Sequence, residues 1–155
     1  MDILLTGANG QLGWEISRRA AAEGLSIRAT TRTQLNITDR EIVLRYVNQL
    51  RPKVVVNAAA YTAVNNAEND AESAYAVNYD GVSYLAEVCA SLGSPLIHIS
   101  TDYVFDGFKQ PNYPEDNKNP LQNYGISKLI SEYRVIKNCK DYCTITATVE
   151  CFVGS

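Results

Sequence analysis

Tyr124 and Lys128 stand four residues apart, a spacing that puts both side chains on one face of a helix. A phenol at its ordinary pKa of about 10 exchanges protons poorly near neutrality. A neighbouring ammonium favours the phenolate. The spacing therefore predicts that Lys128 lowers the Tyr124 pKa and makes the pair a general acid–base device for a carbonyl/alcohol couple. Ile99-Ser100-Thr101-Asp102 closes an apolar run that reads as a strand. Ligands of open α/β sheets bind outside the carboxyl ends of strands, where a hydroxyl can hold a carbonyl oxygen. Near the N-terminus, Gly7, Gly10 and Gly13 follow the apolar run 2–6. Gly7 suits a tight turn, Gly10 the close approach of a pyrophosphate, and Gly13 close packing of the helix that follows. That helix start offers free N–H groups and partial positive charge to a phosphate. Asn57-Ala58-Ala59-Ala60 follows a third apolar run, and its small side chains would let a cofactor lie against the backbone. Singly, each has a plainer reading: a solvated helix face, a turn cap, tight packing. Their order, each at the end of an expected strand, makes the combination specific.

Such groups need a scaffold that delivers strand ends to one edge. Apolar runs at 2–6, 26–31, 53–58, 95–100 and 142–149 predict strands, and 11–23, 39–50, 71–92 and 122–138 predict helices. Leu12, Ile16 and Ala20 recur at helical spacing before Gly24, a C-cap glycine. Thr38-Asp39 starts the second helix, which stops before Pro52. Val54-Val55-Val56 and Leu96-Ile97 are apolar on both faces, as in a buried parallel sheet. The alternation predicts an α/β fold: a Rossmann-like, doubly wound parallel sheet with helices on both faces. Residues 104–120, with Asp106-Gly107, Pro111, Pro114 and Pro120, read as a long functional loop.

Composition narrows the class. The 155 residues fit one domain, and the net charge of −3 gives no footprint for nucleic acid. No apolar run is long enough to span a bilayer. Met1-Asp2-Ile3 already belongs to the first strand, so no leader is expected and the location is read as cytoplasmic. Cys89, Cys139, Cys143 and Cys151 form no Cys-x-x-Cys pair, and His98 is the lone histidine. Reduced thiols and no metal site are expected. His98 reads as a hydrogen-bonded core residue and Trp14 as helix packing. Glu15 reads as a solvated carboxylate, or as an interface or cation ligand in a homodimer. Asn78 is expected to hydrogen-bond backbone near the site. Tyr61, Tyr103 and Tyr113 belong to a sugar site or to core and surface.

The chain resembles the extended short-chain dehydrogenase/reductase family, and within it the dTDP-4-dehydrorhamnose reductase group. The stretches that carry the likeness are Thr6-Gly-Ala-Asn-Gly-Gln-Leu-Gly13, Arg51-Pro52 through Val64, Ala76-Val-Asn78, Ser100 to Gly107, and Pro120 to Lys128. The resemblance implies hydride transfer from NADPH or NADH to the C4 carbonyl of a dTDP-linked 4-keto-6-deoxysugar. It implies that Tyr124 donates the proton, that Lys128 holds the nicotinamide ribose, and that Thr101 binds the substrate oxygen with Asp102 beside it. Gly7, Gly10, Gln11, Leu12 and Gly13 would face the cofactor phosphates. Asn36 and Ile37 would lie by the adenine, and Ala58, Ala59 and Ala60 by the ribose and nicotinamide. Asn36 and Asn65 stand where the group often has Asp. Thr31-Arg32 replaces an acidic residue common in NAD-selective relatives, so Arg32 would admit a 2′-phosphate. Thr148 stands where an Arg is usual. Residues 1–155 read as the NAD(P)-binding domain, without the family's C-terminal substrate-binding part. The same resemblance extends to the non-catalytic regulatory beta subunit of methionine adenosyltransferase, which gives a second reading as a cofactor-binding protein.

Overall fold

Five short apolar runs pair as one parallel sheet in the computed structural model, which describes residues 1–108 and 116–147. They are β1 (Ile3–Thr6), β2 (Ile27–Thr30), β3 (Val54–Asn57), β4 (Leu96–Thr101) and β5 (Tyr142–Ala147), in the order β2-β1-β3-β4-β5. The helices are α1 (Gln11–Ala22), α2 (Arg40–Leu50), α3 (Ala71–Tyr75), α4 (Val82–Leu92) and α5 (Asn123–Asn138). A π-helical segment, Ala76–Gly81, joins α3 to α4 inside the single helix that the sequence predicts over 71–92. The predicted Rossmann-like α/β sheet is present. Pro111, Tyr113, Pro114, Thr148, Cys151 and the end of the last predicted strand lie outside the described residues.

The connections explain the two layers. The chain runs from β1 through α1 to β2, then crosses back through α2 to β3 and on to β4 and β5. Right-handed crossovers put α1 on one face and α2, α4 and α5 on the other. The packing agrees: α1 lies on β1 and β2, α2 on α4, and α4 on α5. The direction reverses between β1 and β3, which opens a crevice at their carboxyl ends.

The larger core joins Leu4, Val55 and Leu96 of the sheet to Val43 and Val47 of α2, Leu85 of α4 and Val135 of α5. Burying each such side chain stabilises by about 1.5–3 kcal/mol, enough to hold strands of four residues. Edge strand β5 differs: Tyr142, Cys143, Ile145 and Thr146 are exposed.

The helix ends follow the sequence signals. Asp39 caps α2 by accepting from the Ile42 N–H at 3.0 Å. Gly24, at φ +70°, donates to Ala21 O as α1 ends. Arg51 closes α2 in the left-handed region at φ +46°, where Pro52 prevents the helix from continuing. Trp14 departs from expectation. Helix α1 turns Gly13 and Ala20 inward, so Trp14 is 58% exposed, with the Arg18 guanidinium 5.7 Å above its ring. Glu15 pairs with Arg18 and Arg19 on the same helix, as a solvated carboxylate does. Cys89 and Cys139 are buried free thiols, and burial pushes Cys89 up to about 12.

Candidate active site

The strand ends open onto two adjoining cavities. One, of about 430 Å³, is lined by Gly10, Gln11, Leu12, Gly13, Ala58, Ala60, Thr101, Asp102, Tyr124 and Lys128. The other, of about 280 Å³, is lined by Gly7, Gly10, Arg32, Asn36, Ile37, Ala58, Ala59 and Ala60. The glycine loop, Arg32, Asn36, Ile37, the three alanines, Thr101, Asp102, Tyr124 and Lys128 thus all border this crevice; Glu15 does not, and Tyr113 lies outside the described residues. Sequence reasoning missed Asn9, Thr62, Val64, Val77 and Ala147. Asn9 sits within the glycine loop, and Thr62 and Val64 follow the alanines, so proximity to those motifs could have found them. Ala147 carries no such signal.

The glycine loop is shaped by contact as well as by dihedral freedom. Gly7 has φ +77°, and a Cβ there would come within 2.5 Å of the Ala59 nitrogen. A Cβ on Gly13 would run into the Gly7 carbonyl, so α1 leaves directly against the turn that precedes it. The helix packs on the turn itself, a tighter constraint than the expected packing on the sheet. At Gly10 a Cβ would touch only Gly7 O, at 3.4 Å. Gly10 also brings no side chain to cap the first turn of α1. Space thus coincides with a helix N-terminus that no Gly10 side chain caps, which fits a dinucleotide pyrophosphate at this helix start.

At the outer cavity, the Thr31 N–H donates to Gln34 Oε1 at 2.9 Å, and the hydroxyls of Thr31 and Thr33 lie 2.9 Å apart. Arg32 is exposed beside them. Asn36 Oδ1 accepts from the backbone N–H and the hydroxyl of Thr38, at 3.2 and 3.0 Å.

At the inner cavity, Thr101 ends β4 while Tyr124 and Lys128 come from the first turns of α5. The Thr101 hydroxyl lines the cavity with Tyr124, donates to Asp102 Oδ1 at 3.3 Å and accepts from the Tyr103 N–H at 3.3 Å. The Tyr103 ring meets the Tyr124 ring edge-on, with centroids 5.5 Å apart. A Cβ on Gly125 would strike the Tyr103 carbonyl, so a glycine after Tyr124 lets α5 approach this turn.

The electrostatics overturn one expectation. Burial raises the Tyr124 pKa above its ordinary value, while the Thr101 hydroxyl pulls the other way. Lys128 does not lower it. Its ammonium donates to the Ile99 carbonyl at 2.6 Å, and burial brings its own pKa down to about 8 against the pull of Glu132. The Tyr-x-x-x-Lys spacing predicts a shared face and finds one. It could not show that a backbone carbonyl takes the ammonium.

Buried polar bonds fix these elements together. Thr6 Oγ1 donates to Asn57 Oδ1 at 2.6 Å, and Asn57 Nδ2 lies 3.2 Å from His98 Nδ1. His98 Nε2 reaches Ser131 Oγ at 3.0 Å, and Ser131 donates to the Lys128 carbonyl at 2.6 Å. With Asn57 donating to Nδ1, the His98 proton sits on Nε2. Burial and the nearby Lys128 charge keep the ring neutral. His98 is the hydrogen-bonded core residue expected of it. Asn78, in the π-helical segment, accepts from the Tyr61 N–H at 2.8 Å and donates to the Tyr61 carbonyl and to Ser127 Oγ. It thereby ties the loop after β3 to α5, as its sequence position suggested. Glu68 caps α5 from outside by accepting from the Asn123 N–H at 2.7 Å and its amide at 3.1 Å.

Among the described residues no cluster of three or more His, Cys, Asp or Glu is placed to hold a metal, and no helix is long and apolar enough to cross a membrane.

Comparisons with known proteins agree with this arrangement. Residues 1–149 match the RmlD substrate binding domain family. A dTDP-4-dehydrorhamnose reductase of Burkholderia thailandensis is 44% identical over 149 residues, which are 96% of this chain and 50% of that protein. The crystal structure of a dTDP-4-dehydrorhamnose reductase from Clostridium acetobutylicum superposes with a TM-score of 0.91 at 39% identity, over 94% of this chain and 52% of that one. The Bacillus anthracis dTDP-4-dehydrorhamnose reductase, solved in complex with NADP, gives a TM-score of 0.91 at 33% identity, over 96% and 54% of the two chains. The chain spans about half the length of the curated relatives it matches. It belongs to the RmlD substrate binding domain family, the family of the dTDP-4-dehydrorhamnose reductases.

Proposed function

We propose that this chain is the NAD(P)-binding Rossmann domain of a reductase that converts dTDP-4-dehydro-6-deoxy-L-mannose, or a related nucleotide 4-keto sugar, to the 4-hydroxy product. The observation that carries the reading is the meeting of Thr101, Tyr124 and Lys128 at a cavity that the glycine loop also lines. When bound, NAD(P)H supplies the hydride. Gly10, Gln11 and Leu12 hold the pyrophosphate at the α1 N-terminus. Ala58 to Ala60 let the ribose and nicotinamide lie close to the backbone, and Lys128 holds that ribose. Tyr124, kept neutral by burial, gives its proton to the substrate oxygen as charge develops there. Thr101 hydrogen-bonds the same oxygen, with Asp102 near the sugar. Arg32 at the rim favours a 2′-phosphate, so NADPH binds at least as tightly as NADH.

A second reading is cofactor binding without turnover, which the cavity lined by Gly7, Arg32, Asn36 and Ala59 would serve by itself. Both readings are tested by incubating the protein with NADPH and a dTDP-4-keto-6-deoxysugar and following the reduced cofactor by absorbance. Oxidation that Tyr124→Phe lowers by about 10²–10⁴-fold, with cofactor affinity unchanged, supports the reductase. Cofactor binding without oxidation leaves the second reading. A clear preference for NADH in dissociation constants removes the role given to Arg32.

A further inference from the structure

Glu132 is 1% exposed, yet it has no part in the chemistry described above. It follows Lys128 by one turn of α5, so both side chains leave the same face of the helix. They grip consecutive residues of β4. Lys128 donates to the Ile99 carbonyl, and the Ser100 hydroxyl donates to Glu132 Oε1. The next residue is Thr101. The other oxygen of Glu132 pairs with Lys118, from the segment that leads into α5. That segment is itself tied back by the Asn119 N–H, which donates to the Val104 carbonyl at 2.9 Å. Glu132 thus accepts from a hydroxyl and an ammonium at once, and a buried carboxylate is costly unless so partnered.

We propose that Glu132 is a positioning residue of this site: it clamps Ser100 and Lys118 together behind Thr101 and stands as counter-charge to Lys128. The proposal rests on the reading of Thr101, Tyr124 and Lys128 as the reacting groups. Other titratable groups face α5 from its neighbours. His98 on β4 is held neutral, and Asp102 and Tyr103 follow β4. Glu68 caps the helix start, Tyr79 of the π-helical segment binds Arg134 at 2.5–2.8 Å, and Cys89 on α4 is a neutral thiol. Glu132 is the carboxylate on Lys128's own face of α5, and it draws the Lys128 pKa upward against burial.

The test is an NMR titration of the full chain carrying ¹³C-labelled lysine, with Lys128→Arg used to assign the Lys128 signal. Glu132→Gln keeps the shape and an acceptor for Ser100 but removes the charge. It lowers the Lys128 midpoint by about one pH unit, a tenfold loss of proton affinity. An unchanged midpoint in a folded Glu132→Gln protein overturns the proposal. Should that variant fail to fold, Lys118→Met reads the same coupling with opposite sign. Removing the competing cation raises the Lys128 midpoint, and no change again overturns the proposal. No substrate is present in the titration. A chain that shows the shift but never oxidises NADPH keeps the charge role of Glu132 and loses the reductase reading. A chain that turns over without the shift does the reverse.

Discussion

The Lys128 ammonium lies 2.6 Å from the carbonyl oxygen of Ile99, inside the interface between α5 and β4. Burial brings its pKa from 10.5 to about 8 in the folded protein. Between those values the unfolded chain binds more protons than the native one, so stability rises with pH through that window. Below about 8 the full cost of burying the ammonium is present. Lys128→Met removes this dependence. Urea denaturation of both proteins should show the variant's relative stability fall by up to about 3 kcal/mol between pH 7 and pH 10.5. A difference that stays constant with pH contradicts a depressed Lys128.

Gly13→Ala places a methyl group against the Gly7 carbonyl, which is backbone of a turn and cannot rotate away. Overpacking of this kind costs about 1–3 kcal/mol. The turn that should cradle the pyrophosphate is displaced with it. Thermal melting and NADPH titration by fluorescence should show lower stability together with weaker binding. Gly24→Ala is the control: a Cβ there meets nothing within 4 Å, and only the φ of +70° resists it.

His98→Leu keeps the volume of the ring but leaves Asn57 Nδ2 and Ser131 Oγ without their partner. Unmet buried polar groups cost about 1–3 kcal/mol. The loss should appear in urea denaturation and should not grow as pH falls from 8 to 6, because burial already keeps the native ring neutral there.

Arg51 holds a left-handed conformation, φ +46°, that costs a residue with a Cβ about 1–2 kcal/mol. Arg51→Gly should therefore raise the melting temperature, although the greater freedom of glycine in the unfolded chain offsets part of the gain.

Much of this architecture is readable from one sequence because its signals are local. Asp39 caps α2, Gly24 follows α1, and Val54-Val55-Val56 is apolar in every direction that a buried strand presents. What escaped depends on partners distant in the chain. The π-helical turn around Asn78 is held by side-chain bonds to Tyr61 and Ser127, 17 and 49 residues away. Trp14 has the hydrophobicity of a core residue, but Gly13 and Ala20 face inward in its place. Glu132 looks like any helix carboxylate until Ser100 and Lys118 close on it. The Tyr-x-x-x-Lys pair locates two groups and says nothing of their surroundings, which set both pKa values.

Helix α5 receives its first-turn cap from Glu68, 55 residues earlier in the chain. Tyr124 packs beside Ala67 and Ala74, with Tyr61 and Val64 against them. The start of α5 is therefore an assembled structure, with no side-chain cap from Gln122 to hold it alone. Whatever orders residues 58–68 also orders the turn that presents the phenol. A ligand that settled on the alanine loop would share one linked equilibrium with the placement of Tyr124, each favouring the other by the same free energy.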